Sequence, residues 1–299
     1  MNFSVDSMLN GLAEQGMCVT FSEQRTTGEY DSADAEWNYK DVPHLKEAHE
    51  NAEAINGTLS KSSASSIFIQ KVGPIRIPLS VCVYSPGPNS ISYFTSIGPF
   101  VLVISSSWKT LLTSTTVTTR YHLGSTRFFK PFHFFIHKVL ERNYKILMNV
   151  DVPMRVRRGE LRSRGYIFLN DESGYGFLET MNLHVLGVKV PITLPDFKLE
   201  MEISDVPQGT TLLGENDSRG IRIIREENQF RVFPRICLHA GALLDDAKIE
   251  DNCVRCPWHG KRIKPIFDFN LDGQTKSYES SGIKMTIEKQ VLRVEGLFH

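Results

Sequence analysis

The sequence has no excess of either charge and no long apolar run. Its 34 basic residues balance 34 acidic residues, so composition gives no electrostatic support for a nucleic-acid or membrane-surface partner. No apolar stretch approaches the roughly 20 residues that a membrane-spanning helix needs. The amino terminus also lacks the basic start and apolar stretch of a secretory signal. We therefore expect neither a membrane span nor export.

Cysteine is scarce, and no dinucleotide-binding fingerprint is present. The chain has 5 Cys, two of which belong to the motif described next, so no disulfide framework of the kind found in small secreted domains is expected. A reducing cytoplasm is the expected location. No Gly-x-Gly-x-x-Gly phosphate-binding run occurs. At 299 residues with 41% apolar content, the chain should form about two domains.

The most informative residues lie near the carboxyl terminus, where Cys-x-His is followed by Cys-x-x-His. In a [2Fe–2S] cluster, exchanging the two thiolates of one iron for neutral imidazoles removes negative charge and raises the reduction potential. Each loop would then give each iron one ligand. A zinc site is the alternative, although zinc motifs usually place two Cys in one pair and two His in the other. The four candidate ligands are Cys237, His239, Cys256 and His259.

Small and ring-shaped neighbours surround these ligands, as a loop wrapped closely around inorganic sulfide requires. The run from Cys256 to Gly260 reads Cys-Pro-Trp-His-Gly, and Ala240-Gly241 follows His239. With these motifs, residues 198 to 299 resemble a Rieske domain. Cys253 forms Cys-x-x-Cys with Cys256; we interpret it as a free thiol, with zinc binding as the alternative.

The chain before this segment combines strand and helix patterns. From a serine-rich stretch at 59–66 to about residue 122, β-branched and aromatic residues alternate with Gly and Pro turn signals, which predicts an antiparallel sheet. Thr110 to His122 is expected to be one long strand. Apolar residues then recur at helical spacing from Ile136 to Met154. Asp151 falls within that stripe, so it needs a cation, a metal or a capping role. Because of Pro153, one alternative is that Asp151 caps a new helix.

A second candidate metal motif, Asp-x-x-His-x4-His, begins at Asp41 and contains His44 and His49. On a regular helix these histidines point roughly 140° apart, so one metal could hold both only in a widened turn. Asp41 could also simply begin the helix. His133 and His137 have a better bare spacing for one metal, but their Phe neighbours favour a packing role.

Together with the cluster motif, this run resembles the mononuclear-iron motif of Rieske non-haem iron oxygenases of the aromatic-ring-hydroxylating type. The domain order is reversed here, with the Rieske domain at the carboxyl end. The resemblance implies that His44, His49 and Asp151 bind Fe(II) and that Asp41 links this site to a cluster His. It also implies an α+β fold, in which a helix-grip (START/Bet v1-like) antiparallel sheet domain precedes a small all-β Rieske domain, and a homotrimer.

We therefore expect an oxygenase-like catalytic domain at 1–190, a linker at 191–197 and a Rieske [2Fe–2S] domain at 198–299. By resemblance, electrons come from NAD(P)H through a separate reductase or ferredoxin. The mononuclear iron would activate O2 to hydroxylate or demethylate a hydrophobic organic substrate. The alternative is a Rieske electron-transfer protein fused to a non-catalytic helix-grip ligand-binding domain.

Overall fold

The computed structural model describes residues 4–42, 44–49, 52–60, 62–72, 74–169, 187–189, 197–271, 276–280 and 283–296. The chain divides into two compact units. The first contains Met1–Glu160 and Asn170–Leu186, and the second contains Leu161–Leu169 and Gly187–His299. Most of the expected linker, 191–196, lies outside the described residues, and Phe197 begins a strand. None of the described helices is long and apolar enough to cross a membrane.

Seven antiparallel strands form the sheet of the first unit. They are β1 Cys18–Gly28, β2 Ala52–Leu59, β3 Ser63–Val72, β4 Ile75–Gly87, β5 Ser90–Ile97, β6 Phe100–Leu111 and β7 Ser114–Ser125. Strands β2 to β7 follow one another as neighbours, and β1 pairs with β7 at the other edge. The predicted antiparallel sheet is thus confirmed.

One predicted strand is wrong, because the run from Thr110 to His122 contains a hairpin turn. Its pivot is Leu112, which has a left-handed backbone φ of 58° between β6 and β7. Gly or Asn usually adopts such a conformation. Since neither occurs here, the sequence offers no turn signal.

Among the described residues, four helices accompany the sheet: α1 Val5–Glu14, α2 Ser32–Lys40, α3 His44–Ala48 and α4 His133–Ser163. A 3-10 turn, Arg127–Phe132, leads into α4. Helix α4 continues through Pro153, although proline removes the N–H that the carbonyl four residues earlier would accept. Asp151 is therefore a mid-helix residue, and the alternative that it caps a new helix is wrong. The physical reason is tertiary packing along the whole length of α4.

Two apolar clusters attach α4 to the sheet. Leu140 and Tyr144 pack with Leu102 and Leu123 in one cluster. Val152 and Val156 pack in the other against residues of β3 to β7, including Val81, Val83, Ile91 and Val117. Each buried aliphatic side chain contributes about 1.5–3 kcal/mol, so several together outweigh the roughly 3 kcal/mol cost of an internal proline. A long helix lying on an antiparallel sheet is the predicted helix-grip arrangement.

The regular structure described in the second unit is mainly short antiparallel strands. They are β8 Ile167–Phe168, β9 Val188–Lys189, β10 Phe197–Glu202, β11 Gly209–Leu213, β12 Ile221–Glu226, β13 Gln229–Pro234, β14 Ile249–Glu250, β15 Cys253–Arg255, β16 Arg262–Ile263, β17 Phe267–Asn270, β18 Lys276–Ser280, β19 Ile283–Glu288 and β20 Val291–Gly296. Two four-stranded sheets, β10-β20-β19-β18 and β11-β12-β13-β17, are its largest elements. They enclose a core that includes Ile223, Phe230, Val232, Met285 and Val294.

Candidate metal centres

The two cluster loops of the second unit share one backbone design. In the loop after β13, the Cys237 N–H donates to the carbonyl five residues on (2.8 Å), and the Cys237 carbonyl accepts from the Gly241 N–H (2.8 Å). The loop between β15 and β16 repeats both hydrogen bonds with Cys256 and Gly260, each at 2.9 Å. Both glycines have left-handed φ angles, 93° and 65°, which favour glycine. Two loops of different sequence therefore share one backbone frame from Cys to Gly, with the His two residues after Cys237 and three residues after Cys256.

The loops bring like ligands together. The Cys237 and Cys256 thiols share a hydrogen bond, which lowers the pKa of Cys237 to about 7 even though burial opposes this shift. The imidazole rings of His239 and His259 have centroids 4.6 Å apart. Each loop thus contributes one member to a Cys pair and one to a His pair. A [2Fe–2S] cluster with two thiolates on one iron and two imidazoles on the other has this donor set.

A single zinc ion fits these ligands less well. A tetrahedral zinc with bonds of about 2.0–2.3 Å would hold all four ligand atoms within roughly 4 Å of one another. Among the residues that the structure describes, the only group of three metal-binding atoms within 4.8 Å lies in the other unit. Cys253, on β15, has its thiol in a hydrogen bond with Arg262. The donor arrangement therefore fits the binuclear cluster.

The histidines of the Asp-x-x-His-x4-His motif converge in the first unit, with ring centroids 5.1 Å apart. His44 is the first residue of α3, and His49 lies immediately after Ala48, where α3 ends. The expectation of a widened helical turn is wrong, because a five-residue helix does not impose helical geometry on His49. Both imidazoles are buried.

Asp151 of α4 completes a compact triangle with these rings. The His44 and His49 Nε2 atoms are 3.2 Å apart, and Asp151 Oδ1 lies 3.4 Å and 3.0 Å from them, respectively. Ligands on one octahedral face with bonds of about 2.1 Å are roughly 3.0 Å apart, and tetrahedral ligands roughly 3.4 Å. The residues therefore fit a mononuclear metal ion held on one face.

The orientation of the His44 ring is set by the backbone. Its Nδ1 contacts the carbonyl oxygen of Asp41, which can only accept a hydrogen bond, so Nδ1 carries the proton in the neutral ring and Nε2 presents a lone pair. Asp41 is the C-cap of α2 and lies three residues before His44, where α3 begins. Its carboxylate Oδ2 lies 4.0 Å from His44 Nδ1.

Asn38 and Arg155 extend the site beyond the predicted residues. Arg155 donates from Nε (2.9 Å) and Nη2 (2.6 Å) to Asn38 Oδ1, which leaves the Asn38 amide nitrogen to donate to Asp151 Oδ1 at 3.4 Å. Burial opposes ionisation of Asp151, but the two histidines and the Arg155 charge outweigh it and hold the pKa of Asp151 well below its usual value. Sequence reasoning missed both residues; the i, i+4 spacing of Asp151 and Arg155 was the available signal.

The ring nitrogens of the competing histidine pair, His133 and His137, are hydrogen-bonded to hydroxyl groups. Thr20 Oγ1 lies 2.8 Å from His133 Nδ1 and 2.9 Å from His137 Nε2. Ser125 and Ser22 reach the remaining nitrogens at 2.7 Å and 2.8 Å. All four ring nitrogens therefore have hydrogen-bond partners, as the packing interpretation of this pair requires.

Comparison with known proteins gives a family for the second unit and fold-level similarities for the first. Residues 197–281 match the Rieske [2Fe-2S] domain. No curated protein matches the chain in sequence. Among solved structures, the Zhui aromatase/cyclase from Streptomyces sp. R1128 is 13% identical, with 47% of this chain and 96% of that chain covered and a TM-score of 0.41. A protein from Thermus thermophilus is 13% identical over 46% of this chain and 97% of that chain, with a TM-score of 0.39.

The di-domain aromatase/cyclase BexL, from the BE-7585A biosynthetic pathway, is also similar. It is 7% identical, with 45% of this chain covered and a TM-score of 0.41, and the match spans about half (49%) of its length. The family match and the loop geometry agree about the cluster residues. The carboxyl-terminal part of this chain is therefore a Rieske [2Fe–2S] domain, with an iron–sulfur electron-transfer role.

Proposed function

We propose that the protein is a Rieske-type oxygenase that hydroxylates or demethylates a hydrophobic organic substrate. Its [2Fe–2S] cluster would supply electrons for O2 activation at a mononuclear non-haem Fe(II). The observation that carries this proposal is the buried triangle of His44 Nε2, His49 Nε2 and Asp151 Oδ1, with edges of 3.0–3.4 Å. Fe(II) bound by two histidines and one carboxylate keeps coordination positions open for dioxygen.

A cation would satisfy all three atoms of the triangle at once. With its proton on Nδ1, neutral His44 directs a lone pair toward an ionised carboxylate and a second imidazole nitrogen. Lone pairs at this separation repel one another in a buried site, where the effective dielectric constant is low. A divalent metal ion converts that repulsion into three favourable bonds. Protonation of one ring is the other remedy, and metal content distinguishes the two.

The chain's own residues have distinct roles in this proposal. The Asp41 carbonyl orients His44, Asn38 orients Asp151, and burial of all three ligands keeps bulk water away from the metal. The Asp41 carboxylate is proposed to couple the iron site to a cluster histidine, of the same chain or a neighbouring one in a trimer. Electrons would come from NAD(P)H through a separate reductase or ferredoxin.

The rival function is electron transfer by the Rieske domain, with the helix-grip unit acting as a non-catalytic ligand carrier. Such a carrier has no use for a buried group of two histidines and a carboxylate. The two functions differ in metal content, since the oxygenase needs three irons per chain and the carrier needs the two irons of the cluster.

Metal analysis of anaerobically reconstituted protein tests the proposal. We expect three irons and two acid-labile sulfides per chain. His49→Ala and Asp151→Ala should each lose one iron while the cluster absorbance persists. His133→Ala is the matched control, because it also removes a buried histidine of the same unit but should retain three irons. Two irons in the wild type, or loss of the third in His133→Ala, would refute the assignment.

A further inference from the structure

A group of phenylalanine side chains is exposed where α4 begins. Phe128, Phe132, Phe134 and Phe135 are 79%, 53%, 65% and 66% exposed, and we call these four residues the aromatic surface. Monomeric soluble proteins rarely leave contiguous aromatic groups in water unless the surface binds something. Within eight successive residues of helix and 3-10 turn, the four rings span roughly 11–14 Å along the axis.

The aromatic surface is rigidly presented by the structure beneath it. Phe129 points inward and packs edge-on against Phe100 of β6, with centroids 5.7 Å apart. It also contacts the exposed rings of Phe128 (5.0 Å) and Phe132 (6.4 Å). Pro131 lies between them and fixes its own φ angle. Phe128 and Phe132 therefore belong to an anchored turn, and Phe134 and Phe135 follow in the first turn of α4.

The apolar face continues along α4. Val139 and Ile146 are exposed and follow Phe135 by four and eleven residues, which places all three on one side of the helix. Leu140 and Tyr144, on the other side, pack against the sheet. The first half of α4 thus has two apolar faces, of which the sheet uses one.

Positive charge surrounds this face, although the whole chain is neutral. Residues 126–149 contain five basic residues and one acidic residue. The acidic one, Glu141, pairs with two of the lysines at 3.4 Å and 3.0 Å. Arg127, Lys130 and Arg142 have no carboxylate partner among the residues that the structure describes. Exposed aromatic groups with unpaired cations beside them are complementary to an anionic lipid surface.

We propose that the aromatic surface binds the face of a membrane that contains anionic phospholipids. The phenyl rings enter the boundary between headgroups and acyl chains, and the cations face lipid phosphates. A two-fold contact with a second copy suits the surface less well, since it would bring the same unpaired cations together. A contact with a different surface of a second copy, as in a trimer, is tested by the oligomeric state of the double Phe variant. An acidic protein is also less suitable, because the polar groups of a protein surface need hydrogen-bond partners and Phe rings provide none. The hydrocarbon of a membrane needs no such partners.

Vesicle sedimentation of the full-length, cluster-loaded protein tests this proposal. We expect sedimentation with phosphatidylcholine vesicles that contain phosphatidylserine, weaker binding to phosphatidylcholine alone, and weakening by salt. Phe134→Ser combined with Phe135→Ser should reduce binding by at least about tenfold, because the rings supply the apolar contact. Arg127→Gln combined with Lys130→Gln should abolish the preference for phosphatidylserine.

Leu112→Ser is the matched control, since Leu112 is 100% exposed and lies at the end of β7 remote from the start of α4. It should bind vesicles like the wild type. Cluster absorbance reports folding in every variant. The proposal is overturned if wild-type protein stays in the supernatant, or if the double Phe variant sediments equally. It is also overturned if that variant instead converts an oligomer into monomers, because a second copy would then be the occupant.

Discussion

Arg155 lies one turn after Asp151 on α4, with its Nη2 atom 3.8 Å from the Asp151 Oδ2 atom. The same guanidinium holds Asn38 by two hydrogen bonds and lies 4.6 Å from the centre of the Tyr39 ring. Asp151 Oδ1, in contrast, faces the two histidines. The two oxygens of the Asp151 carboxylate thus have different partners. Oδ1 is directed at the proposed metal, and Oδ2 faces the guanidinium of Arg155.

We predict that Arg155→Lys weakens metal binding more than folding. Lysine keeps the charge but cannot make the two-pronged contact with Asn38, so the carboxylate loses its fixed orientation. Loss of such an orienting partner typically costs 10- to 100-fold in metal affinity. Titration of the apo site with Co(II), followed by its visible absorption, measures this change.

Arg158→Lys provides the matched control. Arg158 is also buried, stacks on Trp37 at 4.2 Å and pairs with Asp34 at 3.0 Å. It lies one turn beyond Arg155 on α4, and neither Trp37 nor Asp34 is a proposed ligand. Equal losses of Co(II) affinity in the two variants would show that Arg155 acts through general stability alone.

Asp41→Asn should retain all three irons but lose most electron transfer between the centres. The backbone carbonyl that orients His44 is unchanged by the substitution, so the metal site should persist. The amide cannot accept hydrogen bonds at both of its ends, as a carboxylate can. Stopped-flow reoxidation of the reduced cluster by dioxygen and substrate is the measurement. Near-normal reoxidation would remove the Asp41 carboxylate from the mechanism.

Gly241→Ala should lower the unfolding free energy by more than the cost of its backbone strain alone, because the added Cβ also meets a neighbouring side chain. An added Cβ would lie 2.7 Å from Leu161 Cδ1, at a φ of +93°. Gly209 has the same φ of +93° with nothing within 4 Å, so Gly209→Ala isolates the strain. We expect Gly241→Ala to cost about 1–3 kcal/mol more, as overpacking does. Urea unfolding and cluster content measure both variants, and equal costs would contradict the tight fit.

Asp217 should stabilise the second unit in a pH-dependent way. Burial opposes its ionisation, but hydrogen bonds from Arg219 and the nearby Arg164 charge lower its pKa overall. A lowered pKa means that the stabilisation is present above the unfolded value of about 3.9 and is lost as pH falls. Asp217→Asn should cost about 1.5–3 kcal/mol at pH 7 and progressively less as the pH falls below about 3.9. A pH-independent difference in unfolding free energy would contradict this role.

The sequence identified those features that are encoded by spacing. Two Cys and His pairs predicted the cluster loops, and apolar residues every three or four positions predicted α4. It failed where tertiary packing overrides local preference. Leu112 takes a left-handed turn without a turn residue, and Pro153 remains inside a continuous helix. Asn38 has no signal at all, because the chain fold alone brings it to Asp151.

Nitric oxide binding tests the central claim most directly, since it reports a mononuclear Fe(II) with an open position. Dithionite-reduced protein exposed to nitric oxide under argon should give a spin-3/2 resonance of about one spin per chain. His49→Ala should lose this resonance and retain the spectrum of the reduced cluster. A fully loaded cluster in wild-type protein without any spin-3/2 resonance would contradict the account and favour the ligand carrier.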